Sequence, residues 1–145
     1  MFKSIIVSQP RRISAITLAE RVAEEMEFTI GEEIGYNVRF EEKRSKKTKV
    51  VFATDGMAIR ELMIGSNYDL FILDEAHERS INTDVLMSVL KLKLKKQEKG
   101  RQFKLIIMSA TIESSKFMRF FNTDALINIE GRSYPTDMLN LLEPI

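Results

Sequence analysis

Two adjacent carboxylates, Asp74 and Glu75, directly follow the apolar residues 70–73 (LFIL). Such an apolar run predicts a buried strand, and ligands of α/β proteins bind at the carboxyl ends of parallel strands. A carboxylate there suits Mg²⁺, which prefers hard oxygen ligands together with waters and substrate phosphates. The second carboxylate can deprotonate a water that attacks a phosphate. The alternative is structural, because acidic residues also stabilise the first turn of a helix.

Hydroxyl groups stand at a second strand end. Ser109 and Thr111 follow the apolar residues 105–108, and Ser109 comes 35 positions after Asp74. That spacing leaves room for one helix and one strand, so the two strand ends are predicted to be neighbours. By itself, a Ser-Ala-Thr turn is only a common helix start.

Cationic and hydroxyl donors mark further strand ends. The guanidinium groups of Arg11 and Arg12 stand at the start of a predicted helix, where backbone N–H groups also attract phosphate. The Thr54 hydroxyl stands at the start of the next predicted helix, and the Arg39 guanidinium is next to Phe40 in the sequence. Each is also typical of an ordinary strand-to-helix turn, but together they predict sequence-independent contact with a nucleic-acid backbone. The donors are Arg11, Arg12, Thr54 and Arg39.

Apolar strands that alternate with helices must position these residues. Strands are predicted at residues 4–8, 50–53, 69–73 and 105–108, with helices near 12–27 and 56–64, after 82, and from 114. The strands are apolar throughout, which indicates a parallel sheet covered on both faces. We also predict a short strand at residues 126–129. The helix after Asp74 is predicted to have Asn82 or Thr83 as its N-cap and to face inward with Val85, Leu86, Val89 and Leu90.

Composition limits the class of protein. With 44% hydrophobic and 30% charged residues, the 145-residue chain is predicted to be one globular domain. The absence of cysteine excludes disulfides and thiolate metal sites, and no apolar run approaches the ~20 residues that span a bilayer. We therefore expect an intracellular protein without a membrane partner. Net charge is only +1, and the basic run at residues 91–104 is interpreted as a solvated face.

In their order along the chain, these motifs resemble those of DEAH-box RNA helicases, and most closely those of the pre-mRNA splicing branch. The resemblance extends from residue 4 to about residue 143. Three segments are similar to RNA-contacting motifs, two to motifs II and III, and one to the segment that leads into the second lobe. They are, in that order, residues 8–12 (SQPRR), 35–41 (GYNVRFE), 54–57 (TDGM), 74–80 (DEAHERS), 109–111 (SAT) and 131–135 (GRSYP).

The resemblance implies an α/β, RecA-like (P-loop NTPase) fold, a parallel sheet flanked by helices. Residues 1–130 would form a partial first helicase lobe, and residues 131–145 a linker and the start of a second lobe. It also implies ATP and Mg²⁺ as cofactors and RNA as a partner. An activating protein, components of a ribonucleoprotein and a nuclear location are implied as well.

The resemblance also implies a role for each residue of motifs II and III. Asp74 would hold Mg²⁺, usually through water, and Glu75 would be the catalytic base. His77 would couple the nucleotide site to the second lobe. Ser109 and Thr111 would link hydrolysis to movement of the lobes.

Four of the upstream residues are implied to contact the RNA backbone: Arg11, Arg12, Thr54 and Arg39. Arg21 matches the arginine that flanks adenine in this family. A solvated helix arginine is the alternative for Arg21.

The chain departs from the family in one respect, since no G-x-x-x-x-G-K-[ST] phosphate-binding loop occurs in the sequence. We expect a truncated lobe that lacks this loop and its strand, and that is inactive as an ATPase alone. The strands containing Phe71 and Ile107 would then lack a partner on one side. The alternatives are a stand-alone, non-catalytic RNA- or partner-binding remnant and a divergent helicase acting on DNA.

Overall fold

Strands and helices alternate along the chain in the computed structural model, which describes residues 3–96, 103–110, 114–129 and 131. The predicted linker and second lobe, residues 131–145, lie outside this part except for Gly131. The strands are β1 (Ile5–Gln9), β2 (Ile34–Val38), β3 (Glu41–Lys43), β4 (Val50–Thr54), β5 (Leu70–Leu73) and β6 (Lys104–Ile107). The helices are α1 (Arg12–Glu25), α2 (Asp55–Met63), α3 (Ile81–Lys95) and α4 (Ser114–Phe121), with a 3₁₀ helix at Ala76–Glu78.

The six strands form one sheet in the order β3-β2-β4-β1-β5-β6. All neighbouring strands are parallel except β2 and β3. These two strands pair antiparallel because only Arg39 and Phe40 connect them, and a parallel pair needs a crossover of a dozen or more residues. The prediction of an α/β protein with a mostly parallel sheet is therefore confirmed, and the β2–β3 hairpin is the exception to it.

Helices cover both faces of the sheet, as the apolar strands predicted. Neighbouring residues of β1 point to opposite faces, so Ile6 belongs to one apolar cluster and Val7 to the other. The cluster around Val7 is closed by small side chains of α1, namely Ala15, Ala19 and Ala23. The cluster around Ile6 and Phe71 is closed by α2 and α3. No helix in the part of the chain that the structure describes is long and apolar enough to span a membrane.

Helix α3 differs from its prediction at its start and on its buried face. Its N-cap is Ser80, whose side chain accepts a hydrogen bond from the Thr83 amide, rather than Asn82 or Thr83. Val85 was predicted to face inward, but it is 45% exposed. The buried positions are Thr83, Leu86, Met87 and Leu90, which follow the i, i+3, i+4, i+7 spacing of one helix face. The pattern of apolar residues predicted the wrong face, because the buried face includes the polar residue Thr83.

Two further predictions about strands are corrected by the sheet. Residues 126–129 form no strand, and Leu126, Ile127 and Ile129 are exposed. The β5 strand, which contains Phe71, has partners on both sides. Of the two strands, only β6, which contains Ile107, lies at an edge of the sheet within the described residues, and Ile106 on it is 46% exposed. An apolar run alone could not predict these outcomes, because pairing with distant strands decides them.

A buried carboxylate joins α2 to the outer part of the sheet. Glu61 is 4% exposed and accepts hydrogen bonds from Arg44 at 2.7 Å, Asn37 at 2.8 Å and Tyr68 at 3.0 Å. Burial alone would raise the pKa of Glu61, but hydrogen bonds from Arg44, Ser66 and Tyr68 outweigh it and lower the pKa below its usual value. Gly35 lets the backbone of residues 43 and 44, and with it Arg44, lie close to β2, because a Cβ at position 35 would overlap that backbone.

We predict that Glu61→Gln lowers the free energy of unfolding by about 2 kcal/mol at neutral pH, because the amide removes the charge that Arg44 pairs with. The folded-state pKa of Glu61 is lowered, so its contribution is present above the unfolded value near 4.5 and is lost as pH falls. The difference between Glu61→Gln and the parent should therefore shrink on acidification in chemical denaturation. Glu32→Gln, in an exposed ion pair with Lys47, is the control. Equal stability of Glu61→Gln and the parent at neutral pH would contradict this account.

Candidate functional site

The candidate site lies along the carboxyl edge of the sheet, where strand ends carry the predicted residues. In the register of the sheet, Gln9 pairs with Thr54, and Ser8 pairs with Leu73. Leu73 in turn pairs with Ile107, two residues before Ser109. The structure therefore brings together the strand ends at residues 9, 54, 74 and 108, as expected for parallel neighbours. The predicted proximity of the Asp74 and Ser109 segments is confirmed.

The Asp74 carboxylate is held in place on both oxygen atoms. Its Oδ2 accepts a hydrogen bond of 2.6 Å from Nε2 of Gln9, and its Oδ1 accepts the amide N–H of Glu75 at 2.8 Å. Gln9 is itself 1% exposed, so its side chain has little freedom. The orienting role of Gln9 was missed from the sequence, although the residue lies in the same segment as Arg11.

Glu75 and His77 lie on a tightly turned segment after β5. Glu75 has φ 51° and Arg79 has φ 48°, left-handed values that cost energy for residues other than glycine. The Nδ1 atom of His77 accepts the amide N–H of Ala110 at 3.3 Å, which connects this segment to the end of β6. Nδ1 also lies 3.5 Å from Oε2 of Glu75. A ring nitrogen that accepts the Ala110 N–H cannot donate a hydrogen bond to Glu75 at the same time.

The donor set at this edge fits Mg²⁺ only in part. Asp74 and Glu75 offer hard carboxylate oxygens, but the described residues contain no group of three or more His, Cys, Asp or Glu that could hold a metal. Magnesium often takes one or two carboxylates and completes its shell with waters and substrate phosphates. The arrangement therefore suits Mg²⁺ delivered with a phosphate ligand. Ser109 is exposed beside this segment, and Thr111 lies outside the described residues.

A groove of about 470 Å³ lies next to the carboxylates and contains Arg39 and Thr54. Thr54 precedes α2 and makes no capping hydrogen bond with its side chain. The backbone N–H groups of the first helical turn and the Thr54 hydroxyl are suited to an anion. The groove is also lined by residues of the motif segments, namely Pro10, Phe40, Met57 and Ser80, and by Arg60 and Asn82, which the motifs did not indicate. Arg60 and Asn82 could be found only by knowing that α2 and α3 pack together.

The β2–β3 turn presents a cation and an aromatic ring at the groove. The Cζ atom of Arg39 lies 4.7 Å from the centroid of the Phe40 ring, a cation–π contact between these neighbouring residues. Phe40 is 92% exposed and has φ 68°, a strained combination for a bulky residue. Such a residue costs folding energy without burying surface, which is typical of a functional position.

Arg11 and Arg12 begin α1 at the same edge, and each is paired with a glutamate. Arg11 forms an ion pair of 3.1 Å with Glu78, and Arg12 binds Glu41. Tyr36 also donates to Glu41 at 2.6 Å, and this hydrogen bond raises the pKa of Tyr36. The α1 helix has no side-chain N-cap, so its first N–H groups add to the positive potential.

Among the candidates in the described part of the chain, Arg21 is the one that lies away from the others. It lies nine positions after Arg12 on α1, about 14 Å farther along the helix axis. Its guanidinium forms an i, i+4 ion pair of 2.6 Å with Glu25, and its side chain is 68% exposed. The solvated helix arginine is the interpretation that this contact favours.

A second groove, of about 370 Å³, lies between α3 and α4. Its lining is basic and aromatic, and the Lys91 ammonium lies 4.1 Å from the centroid of Phe120. Lys95 and Arg119 also contribute to it. Within the described part of the basic run, Lys91 and Lys93 therefore lie over aromatic rings rather than on a simple solvated face.

A buried chain of hydroxyl groups fixes the floor of the first groove. The Thr83 hydroxyl donates to Oδ2 of Asp55 at 2.6 Å, and Ser80 lies 2.7 Å from Thr83. Since Thr83 uses its proton on Asp55, Ser80 must donate to Thr83. Burial raises the pKa of Asp55, and the hydrogen bond from Thr83 opposes this rise. The charge of Glu78 raises the pKa further. Asp55 Oδ1 and Ser8 Oγ make no hydrogen bond of ordinary geometry.

The sequence matches no model of a known protein family.

We predict that Asp55→Asn raises the melting temperature by a few degrees at neutral pH. The folded-state pKa of Asp55 is raised, so its stability contribution is complete below the unfolded value near 3.8 and is lost as pH rises through the folded value. Asparagine is neutral throughout, and its amide can donate to Ser8. The advantage should shrink as pH falls toward 3.8, as calorimetry can measure. Asp84→Asn, in an exposed pair with Arg79, is the control, and a lower melting temperature for Asp55→Asn at neutral pH would contradict the account.

Proposed function

We propose that this chain is part of the first RecA-like lobe of a DEAH-box RNA helicase, and that it binds the RNA backbone along the carboxyl edge of its sheet. The supporting observation is that four segments distant in sequence meet at this edge. They are the segments after β1, β4, β5 and β6, and each carries one of the motifs on which the resemblance is based.

The proposed RNA contacts are to phosphates and not to bases. The donors are the guanidinium groups of Arg11, Arg12 and Arg39, the Thr54 hydroxyl and the N–H groups at the start of α2. Such donors fix the position of a backbone without reading its sequence. Arg60 and Asn82 of the groove are further candidates for the same role.

The proposed ATPase chemistry belongs to the carboxylate segment. Asp74, oriented by Gln9, would hold Mg²⁺ through water, and Mg²⁺ when bound neutralises phosphate charge. Glu75 is the proposed proton acceptor for the attacking water. His77 joins this segment to the end of β6, which supports a coupling role for His77 and Ser109. Thr111 keeps its proposed coupling role, and the Asp74–Glu75 pair keeps its proposed place in nucleotide binding. Arg21 is proposed as a nucleotide contact on the resemblance alone, because its partner in the structure is Glu25.

A non-catalytic RNA- or partner-binding remnant is the second candidate function. The observation that favours it is the lack of a G-x-x-x-x-G-K-[ST] motif in these 145 residues, because ATP hydrolysis of this type depends on that loop. Both candidates share the RNA-binding edge. A role in pre-mRNA splicing or related RNA processing, a nuclear location and an activating protein partner are proposals that rest on the resemblance.

We predict that replacing Arg11 and Arg12 with Ala weakens binding of a fluorescent oligouridylate and flattens the salt dependence. Each lost phosphate contact to a single strand reduces the slope of log K against log salt by about 0.7, so the double variant should lose about 1.4. Fluorescence anisotropy across a salt titration gives both values.

Lys46→Ala with Lys47→Ala is the matched control, because it removes the same charge from the loop before β4, at the opposite edge of the sheet. If both double variants bind alike, the arginines make no specific phosphate contact. Binding of one oligonucleotide sequence far more tightly than others would also contradict backbone recognition.

A further inference from the structure

The arginines proposed to bind RNA are already occupied by carboxylates. Glu78 lies 3.1 Å from Arg11, and Glu41 binds Arg12. These pairs are at the surface, since the Arg11 side chain is 73% exposed and that of Glu78 is 30% exposed. A guanidinium group binds carboxylate and phosphate oxygens through the same N–H donors. A phosphate that binds Arg11 must therefore compete with Glu78.

The two glutamates differ in what else they contact. Glu41 also accepts the hydroxyl of Tyr36, so it is fixed by the β2–β3 hairpin whether or not Arg12 is bound. Among the contacts that the structure describes, the Glu78 carboxylate is paired with Arg11 alone. Of the two, Glu78 is the one that a phosphate can displace at the lower cost.

Glu78 also belongs to the segment that carries the proposed catalytic carboxylates. It ends the 3₁₀ helix, and its amide donates to the carbonyl of Glu75 at 3.0 Å. The segment after β1 therefore contacts the Asp74–Glu78 segment twice, through Gln9 on Asp74 and through Arg11 on Glu78. The Gln9 contact is buried, whereas the Arg11 contact is exposed and exchangeable.

We propose that Glu78 competes with RNA at this edge: it occupies the phosphate-binding position at Arg11 in the RNA-free protein and is displaced when an RNA phosphate binds. This inference rests on the proposed function. Displacement breaks the exchangeable contact to the carboxylate segment and leaves the Gln9–Asp74 contact in place. RNA binding thereby changes a contact of the segment that carries Glu75, because RNA and Glu78 compete for the Arg11 guanidinium.

The test is a double-mutant cycle on oligouridylate binding, measured with the full chain at low salt. Glu78→Gln should tighten binding about threefold, which lies within the small contribution that an exposed ion pair makes. Glu32→Gln removes the same charge from the amino edge of the sheet and should change binding much less. In an Arg11→Ala background, Glu78→Gln should have no more effect than Glu32→Gln. Circular dichroism melting confirms that each variant is folded.

The outcomes separate this inference from the function on which it rests. If the parent chain binds RNA but Glu78→Gln matches Glu32→Gln, competition at Arg11 is wrong while the RNA-binding edge stands. If Glu78→Gln tightens binding equally with and without Arg11, its charge acts generally and the inference is again wrong. If the parent chain binds no RNA at low salt, the proposed function fails, and this inference fails with it.

Discussion

The parallel pairing of β1 between β4 and β5 brings three of the segments with candidate site residues to one edge of the sheet. Because the three strands run in the same direction and in register, their carboxyl ends place Thr54, Gln9 and Asp74 side by side. The β1 strand is also the one whose neighbouring residues join the two apolar clusters on opposite faces. The same hydrophobic packing that stabilises the sheet therefore aligns a basic segment with an acidic one.

Electrostatics at this edge follow from that alignment. Arg11 and Glu78, which the strands bring close together, neutralise each other's charge. Asp55, beneath the groove, is buried, and burial raises its pKa. The carboxylates at the edge are thus of three kinds. Asp74 is oriented by a buried amide, Glu78 is paired with an exposed cation, and Glu75 lies on strained backbone between them.

Much of the edge was predictable from the sequence, because apolar strands followed by polar residues imply parallel strand ends. On this basis Asp74 was predicted near Ser109, and Arg11 on the same edge as Thr54. The predictions were wrong where contacts between distant residues decide the structure. Residues 126–129 are apolar but have no strand to pair with, and Val85 is apolar but lies outside the buried face of α3. The Gln9–Asp74 hydrogen bond spans 65 positions, so no local pattern could reveal it.

The central claim is that the carboxyl edge of the sheet, and not the basic groove between α3 and α4, binds nucleic acid. Amide chemical-shift mapping by NMR during addition of oligouridylate tests it most directly. We expect the largest amide shifts at residues 9, 11–12, 39–40 and 54–56, and smaller ones at residues 74–79. The largest shifts at Lys91, Lys95 and residues 119–122, with the edge unperturbed, would contradict it.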